Sequence, residues 1–343
     1  MKYKEEALFV SGENGYNTYR IPAIIVSQKG TILAFCEGRK NSVSDSGNID
    51  IVMRRSFDNG KNWENMRVIL DDGKDTIGNP APVIDRDTGI IWLLVTRNLA
   101  EGPESLIVQG KAPRTVWVTF SEDDGKTWAE LKEITQDVKN PSWTWYATGP
   151  CHGIQLKNGR LIIPCDHVEG TNKDYSEFAY SHVIYSDDHG KTWHIGGIAQ
   201  KGTDECVAVE TNDGSIYLNC RNYRGARRRA FAWSFDDGEN FTEFGYDEKL
   251  VEPICQGSMI RFDENHILFS NPASTERKKM TVRISNDECK SWNDGKILYE
   301  GHSAYSDLCV LNDMTIGCLY EKGRANCYET IVFANFDLEW LLT

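Results

Sequence analysis

Apolar and polar residues alternate with a period of two in short runs along most of the chain, a pattern that predicts β-strands. The runs 49–55, 115–120, 181–185, 229–233 and 280–284 are rich in β-branched and aromatic residues, which suit a pleated, half-buried surface. No stretch sustains the 3.6-residue period of an amphipathic helix. Each run leads into the same polar signal. Ser56, Asp58, Gly60 and Trp63 form its first copy, Ser121, Asp123, Gly125 and Trp128 the second, and Ser186, Asp188, Gly190 and Trp193 the third. A fourth copy, Ser234-Phe235-Asp236-Asp237-Gly238, ends in Phe241, and a fifth, Ser285-Asn286-Asp287, has Cys289 at the glycine position and Trp292 in place. The chemistry is that of a hairpin turn. Ser and Asp cap backbone N–H groups, Gly takes a positive φ that other residues resist, and the aromatic ring folds back over apolar surface.

Successive copies start 65, 65, 48 and 51 residues apart. A repeat of that length, built of strands and one stereotyped hairpin, is the size of a propeller blade. Five copies leave room for a sixth, degenerate unit around 297–336. The N-terminal strand would complete it and close the ring, leaving no exposed edge. The expectation is an all-β, six-bladed β-propeller, one domain over residues 1–343 with no linker.

Composition narrows the chemistry. A net charge of −13 argues against a nucleic-acid partner, which needs a basic field; the run Arg227-Arg228-Arg229 reads as a solvated loop. No stretch of about 18 apolar residues is present, so no membrane-spanning helix is expected. Residues 1–6 are polar and no apolar segment follows, which reads as no signal peptide and a cytoplasmic protein. A secreted or periplasmic protein whose leader has been removed would read the same way. The ten Cys contain no C-x-x-C pair, and several lie in apolar runs, so they read as reduced core residues. His152, His167 and His189 show no ligand spacing, and neither a metal nor another cofactor is expected.

The repeats resemble the Asp boxes of the sialidase superfamily, and further motifs extend the likeness from Tyr19 to Glu321, closest to the bacterial type of exo-α-sialidase. In that family the boxes are structural, and their Asp residues lie away from the chemistry. Sialic acid carries a carboxylate on its anomeric carbon, which planar guanidinium groups clamp well. Tyr19-Arg20-Ile21-Pro22 matches the motif of the first clamp arginine. Strand 216–221 resembles that of the second, Arg221, and Thr281-Val282-Arg283-Ile284-Ser285 resembles the third, assigning Arg283.

The resemblance implies a tyrosine nucleophile, because a carboxylate would be repelled by the charge already at the reacting centre. Ser303-Ala304-Tyr305-Ser306-Asp307 fits that motif, and Tyr305, with an ordinary pKa of about 10, needs a base. Glu205 takes that part, with Glu210 as runner-up. The stretch 35–47 resembles the loop of the acid/base, which assigns Asp45 over Asp50. A nearby substrate carboxylate and partial burial would raise its pKa. Arg39 resembles the arginine on the O4 side of the sugar, and Asn79 stands where many members carry an Asp. Glu321 resembles the Glu that holds the first arginine. Trp143, Trp145 and Tyr146 resemble the apolar wall for the N-acetyl group.

The implied activity is a retaining exo-α-sialidase acting on sialylated glycoconjugates as a monomer. An intramolecular trans-sialidase, a hydrolase of deaminated sialic acid and a non-catalytic sialic-acid-binding propeller are the alternatives.

Overall fold

A computed structural model describes residues 3–343. The strand runs read from the sequence form antiparallel meanders. In one eight-stranded sheet, Thr18–Val26, Ile32–Arg39 and Ile49–Ser56 pair in turn, with Arg67–Leu70 on the outside. Thr76–Ile84, Ile91–Asn98 and Arg114–Ser121 form the second half, and a single parallel bridge, Ile49 to Thr76, joins the halves. A five-stranded sheet follows over 143–201 and a four-stranded one over 203–251. In the last sheet the long strand Lys296–Val310 serves two partners. Its first part pairs with Lys278–Ser285 and its second with Ile316–Gly323. Strand Lys4–Val10 pairs with Thr330–Phe336, so the N-terminal segment completes the last meander as the closure argument required.

Four helices of four or five residues are the only α-helical segments among the described residues. No helix there is long and apolar enough to cross a membrane. All ten cysteines are free, buried thiols.

The five boxes share one geometry. In the first, the Ser56 hydroxyl donates to Asp58 Oδ1 at 2.9 Å and accepts from Gly60 N, while Asp58 Oδ1 accepts from Lys61 N and Asn62 N. Gly60, Gly125, Gly190 and Gly238 all have φ between 73° and 86°. Cys289 takes the same turn at φ 66°, a conformation that its Cβ disfavours. The aromatic residue then docks on its surroundings: Trp63 on Phe333 at 5.1 Å, Trp128 on Phe35 at 5.9 Å and Trp193 on Trp92 at 6.5 Å. A box therefore fastens its own meander to the one before it, and in the first copy to the last. The run at 227–229 departs from expectation. Arg229 is fully buried, with Nη1 on Glu252 at 2.9 Å and Nε donating to Asn219.

Candidate active site

A polar pocket of about 290 Å³ opens at the N-terminal ends of several inner strands. Each of five such strands breaks register where it meets the pocket. The shifts fall between Arg20 and Ala23, Gly78 and Ala81, Trp143 and Tyr146, Thr203 and Cys206, and Ser303 and Ser306. A bulge re-aims side chains that strict alternation would turn away. These bulges bring Arg20, Asn79, Trp145, Asp204 with Glu205, and Tyr305 to one cavity. Backbone strain accompanies the first, since Ile21 has φ 60°, an outlier for a β-branched residue. Glu321 holds that turn. Its Oε1 accepts from Arg20 Nε at 2.7 Å and Ile21 N at 3.0 Å, and its Oε2 accepts from Tyr305 N at 3.1 Å.

The Tyr305 hydroxyl donates a short hydrogen bond to Glu205 Oε1. Arg221 Nη1 donates to Glu205 Oε2 at 2.6 Å and to the Tyr305 oxygen at 3.1 Å, and Nη2 donates to Tyr223. Burial and the Glu205 charge push the Tyr305 phenol well above its ordinary range, against Arg221 and Arg277. The phenol is therefore neutral, with its proton already directed at a carboxylate. Glu210, the other candidate base, lies at the far end of its strand and accepts from Lys157 N.

Arg20 stacks over Tyr328 at 4.1 Å and lies 5.0 Å from the centre of the Tyr305 ring. Arg277 lines the pocket with Arg20 and Arg221, and Arg283 does not. Arg277 also lies over the Tyr305 ring, at 5.5 Å, and donates to Tyr328 Oη at 2.8 Å. Arg283 sits six residues further, roughly 20 Å along an extended chain. There it packs on Gly295, donates to Asn271 and has Asp247 and Asp294 as charged neighbours. Arg283 lies within the strand leading into the box, whereas the pocket takes the residue just before that strand begins.

Asp45 is 64% exposed on its loop, with Oδ1 2.7 Å from Arg39 Nη1 and 3.9 Å from Arg20 Nη1. Burial would raise its pKa, but Arg39 and Arg20 outweigh it and hold the carboxyl below its ordinary value. The expected upward shift is thus absent without substrate, because the carboxylate itself sits on the cations. Arg39 is buried, paired with Glu37 Oε2 at 2.6 Å and donating to Val43 O of the loop. Glu37 Oε1 accepts from Asn79 N, which ties Asn79 to the same chain of contacts. Asp50, the alternative acid, is fully buried between Tyr16 and Lys40.

Trp145 faces the pocket, donating from Nε1 to Asp166 at 3.1 Å and lying over Arg114 at 4.0 Å. Tyr146 does not reach the pocket. It is wholly buried beside Trp143 and His182, and Trp143 stacks on His167 in the same core. The bulge at this strand selects the one aromatic that turns inward.

Sequence reasoning missed Arg114, Asp166, Asp204, Tyr223, Arg277 and Tyr328, all in the pocket wall. Burial pushes Asp166 and Asp204 upward, and mutual repulsion with Glu205 adds to it. Buried Asp166 and Asp204 were detectable only as carboxylates within strand-like runs, a signal shared by many turn residues.

Known proteins resemble the chain along most of its length. Residues 30–318 match the family model described as BNR repeat-like domain. An exo-alpha-sialidase of Aspergillus fumigatus is 31% identical over 96% of the chain and 86% of its own length. A sialidase of Micromonospora viridifaciens is 33% identical over 99% of the chain, which spans 54% of that longer protein. The solved structure of a Hadza microbial sialidase superposes with a TM-score of 0.88 at 30% identity, covering 98% of this chain and 69% of that one. The chain belongs to the BNR repeat-like domain family, the Asp-box sialidase superfamily. It is a glycoside hydrolase of the exo-α-sialidase class.

Proposed function

We propose that the protein is a retaining exo-α-sialidase that removes terminal sialic acid from glycoproteins, glycolipids and oligosaccharides through a covalent tyrosyl intermediate. The observation that carries this reading is the Tyr305–Glu205 hydrogen bond, with Arg221 bridging both oxygens. Few structural roles call for a buried phenol aimed at a carboxylate in the wall of an arginine-rich pocket. The scaffold is a six-bladed propeller. Six groups, five of four strands and one of five, support that count when the eight-stranded sheet is divided at its single bridge, and the seven-stranded one within Lys296–Val310.

In this mechanism Arg20, Arg221 and Arg277 clamp the substrate carboxylate. Tyr305 Oη attacks the anomeric carbon and passes its proton to Glu205, while the bond to the leaving oxygen breaks and Asp45 protonates that oxygen. Asp45 then takes a proton from water. The hydroxide adds to the same carbon, the tyrosyl bond breaks, and Glu205 returns the proton to Tyr305. Two inversions give overall retention. Arg39 and Asn79 serve the O4 side of the sugar, Trp145 stands beside the N-acetyl group, and Glu321 keeps Arg20 in place. Every group comes from one chain, so a monomer suffices.

The test is hydrolysis of a fluorogenic sialoside with NMR of the first-released sugar. The α-anomer is expected. An anhydro-sugar would assign intramolecular transfer instead, faster turnover of the deaminated substrate would assign that sugar, and no cleavage from about pH 4 to 8 would end the enzyme reading.

A further inference from the structure

The inner strands run from the arginine pocket to a second, larger cavity of about 490 Å³ at their other end, lined by residues such as Ile24, His152, Met259 and Leu308. Between the two lies a polar cluster for which the proposed mechanism has no use. Asp307, two residues beyond Tyr305 and fully buried, presents Oδ1 to four donors. These are Cys151 Sγ at 2.8 Å, His152 Nδ1 at 2.7 Å, Ser258 Oγ at 2.7 Å and Leu308 N at 3.0 Å. Its other oxygen accepts from Ile24 N at 2.8 Å. Four donors exceed the two lone pairs of one carboxylate oxygen.

Cys151 is there at a cost. Its φ is 132°, a region that only glycine enters freely. The neighbouring positions Gly149 and Gly153 are glycines, yet this one keeps a side chain and turns its sulfur toward the carboxylate. Cys151 Sγ lies 3.7 Å from His152 Nδ1 and 3.4 Å from Ser258 Oγ, and the thiol, imidazole and carboxylate donor atoms all lie within 4.8 Å of one another.

We propose that Cys151, His152 and Asp307 form a site for a divalent transition-metal ion, with zinc the best match and the Ser258 hydroxyl or a water as a fourth ligand. Thiolate, imidazole and carboxylate together are a zinc donor set. A divalent ion with one thiolate and one carboxylate gives a neutral assembly, which a buried site requires. Among the described partners of Asp307, only His152 can otherwise carry balancing charge. Metal enters through the second cavity, whose wall His152 forms. Tetrahedral zinc with bonds of about 2.0–2.3 Å sets its ligands about 3.3–3.5 Å apart, so the Asp307 oxygen must draw back by about 0.6–0.7 Å from Cys151 Sγ and His152 Nδ1 as the metal enters. Adjacent Cys and His with an Asp 155 positions away show none of the spacings by which such sites are read from sequence.

The test uses the full chain stripped with a chelator and titrated with Zn²⁺ or Co²⁺. One equivalent should bind, and Co²⁺ should give a near-ultraviolet thiolate charge-transfer band. Cys151→Gly, which relieves the φ strain, should keep the thermal midpoint, lose the band and bind at least about tenfold more weakly. His152→Asn should weaken binding similarly while the band remains. Failure of the native chain to take up stoichiometric metal would overturn the site, leaving a hydrogen-bonded hub. A cobalt–thiolate band that persists unchanged in Cys151→Gly would overturn it equally.

Discussion

Tyr305 and Glu205 lie 100 residues apart in the chain, yet the phenol of one donates to the carboxylate of the other inside the arginine-rich pocket. Arg221, 2.6 Å from the second Glu205 oxygen, fixes that carboxylate so that the first one stays aimed at the phenol.

Removing the hydroxyl removes the nucleophile while leaving the ring that Arg20 and Arg277 pack on. Tyr305→Phe should lower kcat by at least about 10³-fold. Glu205→Gln should lower it by about 10²–10⁴-fold, the range of a lost general base. Titration with an unsaturated sialic acid analogue should show Tyr305→Phe binding within about threefold of the native protein. A large loss of binding would mean that the hydroxyl serves recognition instead.

Arg277 and Arg283 offer a direct contrast. A charge-assisted hydrogen bond contributes about 1.5–3 kcal/mol, so Arg277→Ala should raise KM by about 10–100-fold. Arg283→Ala, outside the pocket and near Asp247 and Asp294, should leave kcat/KM within about twofold of native. Steady-state kinetics on one sialoside decides between them, and the reverse order would restore Arg283 to the clamp.

That contrast shows what was legible in the sequence. Hairpin chemistry repeats because Ser, Asp and Gly each answer a local backbone need, so the boxes, the strands before them and the closing N-terminal strand could be read directly. Arg20 comes from a motif that matches letter for letter, and Asp45, Arg221, Glu205 and Tyr305 from short stretches that resemble their counterparts. The pocket wall is different. Arg114, Asp166 and Tyr328 reach it through long-range packing, and Trp145 reaches it instead of Tyr146 because a bulge interrupts alternation. Neither a bulge nor a partner from another meander leaves a local mark. Arg229 makes the same point, since a run of three arginines reads as solvated until Glu252, Asn219 and Cys255 close around one of them.

Glu321 carries three hydrogen bonds to the site backbone and Arg20, and it is fully buried. Glu321→Gln keeps the shape and removes the charge that balances Arg20. Breaking a buried pair in this way costs about 3–5 kcal/mol. Urea unfolding should show that loss, together with a raised KM as Arg20 loses its orientation. Unchanged stability would mean that Arg20 finds its counter-charge elsewhere.

The boxes predict a pH dependence of stability. Hydrogen bonds from Asn62 lower the Asp58 pKa to about 2 from the ordinary 3.8. In Asp123 the bonds from Thr127 outweigh burial and give a similar value. A carboxyl depressed on folding stabilises the protein above its ordinary pKa, and that contribution is lost as pH falls through the folded value. Asp58→Asn and Asp123→Asn should therefore melt below the native chain at pH 7. The gap should close between about pH 4 and pH 2. A gap that stays constant across that window would assign the effect to packing.

Asp45 supplies the last prediction. In the free protein its carboxylate rests on Arg39 at 2.7 Å and near Arg20 at 3.9 Å, and these cations hold its pKa low. A general acid needs the opposite. A substrate carboxylate that takes Arg20 as its counter-ion cancels part of that field and adds a negative charge nearby, and both effects favour the protonated form. Asp45 should therefore titrate below the ordinary 3.8 in the free protein and higher once an unsaturated sialic acid analogue is bound. Arg39→Gln should raise it in both states, because the closest cation is gone. NMR of carboxyl-labelled aspartate, assigned by comparison with Asp45→Asn, measures all three values. An Asp45 that titrates at or above its ordinary value without ligand would show that the two arginines do not control it, and substrate binding could not then be what arms the acid.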